Sequence, residues 1–396
     1  MPPAFLLDLT HTSHTRARTG VQRVARSVAA ALGDRALPLT YDPYLQAWRP
    51  LAGWERANLS AVAPARKRGS RWPLHARLRG ALGRFAGPKE DMLAGAELGD
   101  AGLLVPEIFS PAVAGALPAL LARVRGPRVA IFHDAIALQL PGLTPPKSVA
   151  RFPAYLAELL AFDGIAAVSE DSRRVLLDHW DRLGAAARPP VVALPLAIDA
   201  PAPAAAAPGA ADSAPAIVLC VASLEGRKNQ AALLDACERL WAAGARFELR
   251  LIGLAQRETG QAALEKIAAL RRAGRPVRYD GPVDEATLAA AYRACAFTVY
   301  PSLMEGFGLP VLESLSYGRP CICAGHGALG EAARGGGCVV LEAVDTASLA
   351  AAVGGLLGDA ARLAQLSAEA RARRFKTWPD YVRELSAWAA ALPRKT

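Results

Sequence analysis

Short apolar runs alternate with helix-patterned stretches in two series, separated by a segment at 201–215 dominated by Pro, Ala and Gly. In the first series the runs 4–9, 129–132, 165–168 and 191–194 read as buried strands. Residues 20–32 read as a helix with Val21, Val24, Val28 and Leu32 on one stripe, and Ser169 as the cap of a helix reaching about Trp180. In the second series, strands at 217–221, 247–252, 277–279, 297–300 and 321–323 alternate with helices at 230–243, 261–273, 285–293 and 309–317. A Gly335-Gly336-Gly337 loop follows, then a helix at 346–357 with Ser348 as a second candidate start, and a tail helix at 378–392 with Pro379 in its first turn. Such alternation predicts an α/β chain of two units, each a parallel sheet covered by helices on both faces. Two such units on a linker would face each other across a central cleft. Parallel sheets bind ligands at the carboxyl ends of their strands, so the residues just after each strand carry the functional information.

Composition narrows the class. The chain has 396 residues, 52% hydrophobic and 21% charged, enough to bury a core in each half and too apolar for wholesale disorder. Its 34 Gly and 30 Pro follow no collagen period, and no solenoid-length repeat is present. Six Cys without a Cys-x-x-Cys pair exclude a disulfide scaffold and argue against structural zinc; reduced thiols imply a cytoplasmic location. The opening residues lack a basic region before the apolar run and read as a first strand, not a leader. No uncharged run reaches the roughly 18–20 residues of a membrane-spanning helix. The net charge of +10 implies an acidic partner. One stretch, 65–85, concentrates Arg66, Lys67, Arg68, Arg71, Arg77, Arg79 and Arg84 among Trp72, Leu74, Leu78, Leu82 and Phe85. It is a candidate for contact with an anionic membrane, peripherally on the inner face of the cytoplasmic membrane; a solvated surface helix is the alternative. No nucleic-acid recognition motif accompanies it, so nucleic acid is not expected as a partner.

After the strand ending at Tyr300 comes Pro301-Ser302-Leu303-Met304-Glu305-Gly306-Phe307-Gly308-Leu309-Pro310-Val311-Leu312-Glu313. Gly306 and Gly308 clear side chains from a strand-to-helix turn, so backbone N–H groups and the helix N-terminus can approach an anion. Glu305 in the loop can accept hydrogen bonds from sugar hydroxyls, and Glu313 on the helix could bridge the two hydroxyls of a ribose. A helix cap beside a solvated Glu fits the same residues. After Val221, Ser223-Leu224-Glu225-Gly226-Arg227-Lys228-Asn229 places two cations where a helix dipole disfavours them and a diphosphate favours them; an ordinary basic turn is the alternative. His133-Asp134 follows another strand, and Gly20 opens the first helix after the loop 10–19. Each could face a ligand or be merely structural. Phosphate loops of the Gly-x-x-x-x-Gly-Lys-Ser/Thr type, Gly-x-Ser-x-Gly elbows, His-Glu-x-x-His and Asp-x-Asp are absent from the sequence.

Together these residues resemble the retaining glycosyltransferase family 4 (group 1), whose two Rossmann-like domains form the GT-B architecture. The 301–313 segment is similar to the family's Glu-x7-Glu signature, 223–229 to its phosphate segment, and Tyr279-Asp280-Gly281-Pro282-Val283 to the turn before its base pocket. The likeness is strong over 215–375 and looser before it, where His133-Asp134 and Val168-Ser169-Glu170-Asp171-Ser172 also fit. Ser223 stands where many members carry an Arg, and Gly226 where Pro is frequent, which moves the phosphate contact onto Arg227 and Lys228.

The resemblance implies an acceptor-binding domain at 1–200, a linker at 201–215, a donor domain at 216–375 and a tail, 376–396, returning to the first domain. Glu313 would hold the ribose. Glu305, with Phe307, Gly308 and Leu309, would face sugar and phosphate. Arg227 and Lys228 would neutralise the departing diphosphate. Ser223 and Val283 would complete the donor site, with His133 on the sugar and Gly20 near the diphosphate. Neither metal nor resident cofactor is implied: the co-substrate is a nucleotide sugar, GDP-mannose or a UDP-sugar. The expected reaction is retaining, metal-independent transfer of a hexose such as mannose to a glycan or lipid-linked acceptor in bacterial surface polysaccharide synthesis. Closure of the two domains would exclude water. An epimerase or phosphorylase of the same architecture, and a non-catalytic membrane-associated scaffold, are the competing readings.

Overall fold

In a computed structural model of the chain, the residues described are 4–61, 71–83, 93, 100–199 and 215–393. The linker expected at 201–215 lies outside them except for Pro215, as do residues 65–70 and 84–85 of the basic stretch. The chain divides into two compact units. One comprises residues 1–134, 151–196 and 378–396, the other 135–150 and 197–377.

The first unit is built on seven strands: β1 (Phe5–Asp8), β2 (Ala36–Asp42), β3 (Ala47–Pro50), β4 (Gly102–Val105), β5 (Arg128–Phe132), β6 (Gly164–Ala167) and β7 (Val191–Ala193). Their order is β3-β2-β1-β4-β5-β6-β7, all parallel except the β2–β3 pair. That antiparallel edge corrects the all-parallel expectation. Residues 43–46 are too few for the crossover a parallel partner needs, and Gln46 takes a positive φ of 57° in the reversal. The central strands are buried on both faces, from Phe5, Leu6 and Leu7 to Val129, Ala130 and Ile131, as unbroken apolar runs require. The tail helix Trp378–Ala390 packs in this unit. Gly164 on β6 leaves room for it: a Cβ there would lie 2.7 Å from Trp388 and from Leu392.

The second unit holds β8 (Ala216–Val221), β9 (Phe247–Ile252), β10 (Val277–Tyr279), β11 (Phe297–Tyr300), β12 (Cys321–Ala324) and β13 (Cys338–Leu341). They form a fully parallel sheet ordered β10-β9-β8-β11-β12-β13. Residues 135–150, adjacent in sequence to the first unit, group with the second. There Leu143 covers Gly226, where a Cβ would come within 3.1 Å of the leucine methyl. The Gly335-Gly336-Gly337 loop takes positive φ at all three positions. Asp345, not Ser348, caps the helix Thr346–Gly358: its carboxylate accepts from the Ser348 N–H at 2.8 Å. All six cysteines are free thiols. Among the described residues no single helix is long and apolar enough to cross a membrane.

Both sheets reverse their strand order at one place, between β1 and β4 in the first unit and between β8 and β11 in the second. Beyond such a reversal the loops diverge to opposite faces and leave a crevice at the carboxyl ends of the strands.

Candidate functional site

In the second unit the reversal brings together residues 77 positions apart in sequence. After β8 the chain enters a short 3-10 turn, Gly226–Lys228, and Asn229 then adopts the left-handed conformation before the helix Gln230–Ala242. After β11 the loop 301–308 leads to the helix Leu309–Ser316, and Gly308 precedes it at φ 106°, a conformation only glycine reaches without strain. The Leu303 N–H donates to the Arg227 carbonyl at 2.9 Å, tying one loop to the other.

Glu305 projects from the second loop onto both cations of the first. Arg227 Nη1 lies 3.0 Å from its Oε1, and Lys228 Nζ donates to the same oxygen. Arg227 also pairs with Glu225 at 3.0 Å, and Lys228 bonds the Tyr300 hydroxyl at 2.5 Å. Burial alone would raise the Glu305 carboxyl, but the charges of Arg227 and Lys228 outweigh it and hold the group down at about 2. Burial, reinforced by Arg227 and opposed by Glu305, pulls the Lys228 ammonium below its usual value. Burial and the Glu305 charge push the Tyr300 phenol well up, so it stays a neutral partner. The result is a nearly buried group of two cations and two carboxylates at the end of a parallel sheet, beside a helix N-terminus.

Ser223 joins this group through a 3.0 Å hydrogen bond to Glu225. Gly308 and Leu309 are buried at the helix start and Phe307 is half-buried beside them. Glu313 sits one turn further into the helix, buried, and accepts a 3.1 Å hydrogen bond from Tyr292. Val283 packs on the cluster of Leu219, Ile252, Ala291, Tyr292 and Cys295, so it and Glu313 adjoin the same part of the unit. Tyr292 and Tyr300 were not singled out in the sequence, where each reads as an apolar-face residue of its helix or strand. Glu225 stood in the quoted motif without a role.

Gly20 and His133 belong to the first unit. Gly20 opens the helix Gly20–Leu32 and is exposed; a Cβ there would meet no other atom within 4 Å. His133, after β5, is buried, and its Nε2 lies 2.8 Å from the Pro106 carbonyl. A carbonyl only accepts, so Nε2 carries the proton and Nδ1 is the acceptor nitrogen. Burial lowers the imidazole below its usual value, against the Pro106 contact and the Asp134 charge.

The first unit's reversal also holds two buried carboxylates the sequence did not flag. Asp8 ends β1 and Glu107 follows β4; Glu107 accepts from the His11 and Thr12 N–H groups at 3.0 and 2.8 Å and from the Thr12 hydroxyl. Burial and the charge of Asp8 push Glu107 up to about 8, against those hydrogen bonds. A carboxyl raised in the folded state is a burden only where the unfolded chain ionises it. Stability from this group is therefore greatest below its ordinary value of 4.5 and declines as pH rises toward about 8. Glu107→Gln is expected to flatten that decline in urea titrations across the interval; an unchanged slope would contradict the assignment.

Among the described residues no group of three or more His, Cys, Asp or Glu side chains is placed to hold a metal ion.

The two sheets and their reversals define a GT-B fold, and comparison with solved structures agrees. The chain superposes on Anabaena Alr3699/HepE, determined in complex with UDP and glucose, with a TM-score of 0.69 at 16% identity, covering 98% of this chain and 100% of that one. Residues 204–373, which contain the Arg227–Lys228–Glu305 group, match the family described as glycosyl transferases group 1. A D-inositol 3-phosphate glycosyltransferase of Thermobispora bispora is 40% identical over 121 residues, 30% of this chain and 28% of the relative. The serotype-specific mannosyltransferase WbdA of Escherichia coli is 26% identical over 337 residues, 80% of this chain and 38% of the relative. The chain thus spans well under half the length of these curated relatives.

Proposed function

We propose that the chain is a retaining glycosyltransferase that moves a hexose from a nucleotide diphosphate sugar, GDP-mannose or a UDP-sugar, to a glycan or lipid-linked acceptor. Its place would be bacterial surface polysaccharide synthesis on the cytoplasmic side of the membrane. The observation that carries this reading is the pairing of Arg227 and Lys228 with Glu305 at the strand-order reversal. The match of that unit to group 1 glycosyl transferases supports it, and the name of the mannosyltransferase relative supports mannose.

Breaking the bond between the anomeric carbon and the diphosphate oxygen leaves positive charge on the sugar and negative charge on the phosphate. Arg227, Lys228 and the N–H groups opening the helix Leu309–Ser316 are fixed dipoles and charges for that negative end, in place before reaction. Glu305 holds both cations in position and offers its second oxygen to the sugar. Glu313 takes the ribose hydroxyls beside Tyr292. In a front-face displacement the acceptor oxygen attacks from the side the diphosphate leaves, and the departing phosphate oxygen takes the acceptor's proton. Configuration is then retained without a covalent sugar on Glu305. Two protein cations supply the charge that a metal–diphosphate bridge would otherwise provide.

The test is incubation of the protein with GDP-mannose, UDP-glucose and an extract of lipid-linked glycans in EDTA. Transfer is expected to persist, with the product's anomeric proton showing the donor's configuration. An inverted product, or transfer only after divalent metal is added, would overturn the proposal.

A further inference from the structure

The helix Leu74–Gly83 in the first unit buries the wrong face for a water-facing helix. Its inward residues are Ala76 and Gly80, and Gly80 rests on the β2–β3 turn. A Cβ on Gly80 would lie 2.7 Å from Tyr44 Cβ and 3.2 Å from the Leu45 nitrogen. Its outward ridge is Leu74, Leu78 and Leu82, exposed to 71%, 56% and 71%. These are three of the five exposed large hydrophobics among the described residues, and they share one helix face. At 3.6 residues per turn the three leucines span roughly 80°, opposite the buried small residues. Arg77 and Arg79 are exposed on either flank of the ridge, roughly 60° from its edges. Exposed Arg71 precedes the helix, and residues 71–83 contain no Asp or Glu. Arg77 is steadied where it stands: Nε donates to the Trp72 carbonyl at 3.0 Å, and the guanidinium lies 5.9 Å from the Tyr44 ring.

We infer that this helix is a docking surface for an anionic lipid bilayer, lying in the interface with the leucine ridge among the acyl chains and the flanking arginines at the headgroups. The charge decides the occupant. A ridge bordered by cations on both sides, with no acidic residue among them, on a chain of net charge +10, complements acidic headgroups. A second copy would bring the same cations against themselves. Lipid binding of this kind is independent of the transfer reaction and can be measured without it.

The experiment is sedimentation of the full chain with vesicles of phosphatidylcholine, with and without phosphatidylglycerol, alongside size-exclusion chromatography with light scattering. The wild type is expected to sediment with the phosphatidylglycerol vesicles, less at high salt, and to remain in solution with phosphatidylcholine alone. Leu74→Ser/Leu78→Ser/Leu82→Ser and, separately, Arg77→Glu/Arg79→Glu are each expected to weaken partitioning about tenfold or more. Both sets of side chains are exposed, so thermal unfolding should be unchanged, which separates lost binding from lost fold. No sedimentation with phosphatidylglycerol, equal sedimentation with both vesicles, or partitioning unaffected by the leucine replacements overturns the inference. So does a wild-type dimer that the leucine replacements turn into monomers without lipid binding, which assigns the ridge to a second copy.

Discussion

Replacing Arg227 and Lys228 together with alanine is expected to lower kcat/KM for sugar transfer by about a thousandfold or more, since one preorganised donor to a developing anion is worth about 10²–10³. The two effects will not multiply, because both cations share Glu305 and, in the proposed mechanism, would act on one diphosphate. The double change also strands the Glu305 carboxylate in a nearly buried position without its partners, at a cost of about 3–5 kcal/mol of stability. Its carboxyl, held at about 2 by those cations, should then titrate upward. Adding Glu305→Gln removes the stranded charge. The triple variant is expected to recover stability and stay inactive. Recovery of activity along with stability would mean that the cations serve the fold and not the reaction.

Glu305→Gln alone is expected to lower kcat about a hundredfold, because the carboxylate contacts both cations and, in the proposed mechanism, would face the sugar. Its pH behaviour distinguishes that role from general acid–base work. A carboxyl with a folded-state value of about 2 is ionised throughout the working range of an enzyme, so no limb of the pH–rate profile should belong to it. The linkage has a definite sign. The carboxyl is depressed on folding, so its stabilisation is fully present above its ordinary value of 4.5 and is lost as pH falls toward 2. Wild type and Glu305→Gln are therefore expected to differ most in urea midpoint above that value and to converge in acid. A wild-type activity limb near neutrality that vanishes in Glu305→Gln would contradict this account and give the residue a proton-transfer role.

Five of the second unit's six strands, all but β13, were legible in the sequence as short apolar runs alternating with helical stretches; Gly253, Pro301 and Gly325 directly follow β9, β11 and β12. One of its helices starts at a cap legible in the sequence: Asp284 accepts from the Thr287 N–H at 2.7 Å, as its position suggests. The first unit was less so. β2 contains Pro38 and alternates too weakly to read as a strand, because its partners are a parallel neighbour on one side and an antiparallel edge on the other. β4 is four residues of plain apolar sequence, which length alone cannot tell from part of a helix. The helix Ala360–Ala372 was not read because its buried side rests on Leu366 and Ala370, with little apolar contrast elsewhere. In the site, Arg227, Lys228 and Glu305 could be picked out singly, since charged residues after strands are conspicuous. Their mutual contact could not, because it depends on β8 and β11 being neighbours, a fact of topology. Tyr292 and Glu107 were missed for a related reason: each becomes notable only through a partner distant in sequence. The helix Leu74–Gly83 lies at the surface, as both sequence readings of 65–85 required: Leu74, Leu78 and Leu82 are exposed, and Ala76 and Gly80 are its buried residues.

The most direct measurement is a crystal structure of the chain soaked with GDP-mannose or UDP-glucose. The expected map places the diphosphate within hydrogen-bond distance of Arg227 and Lys228, with the ribose hydroxyls on Glu313. A nucleotide lodged away from the ends of β8 and β11, or a ribose that Glu313 does not touch, would contradict the assignment of this group as the donor site.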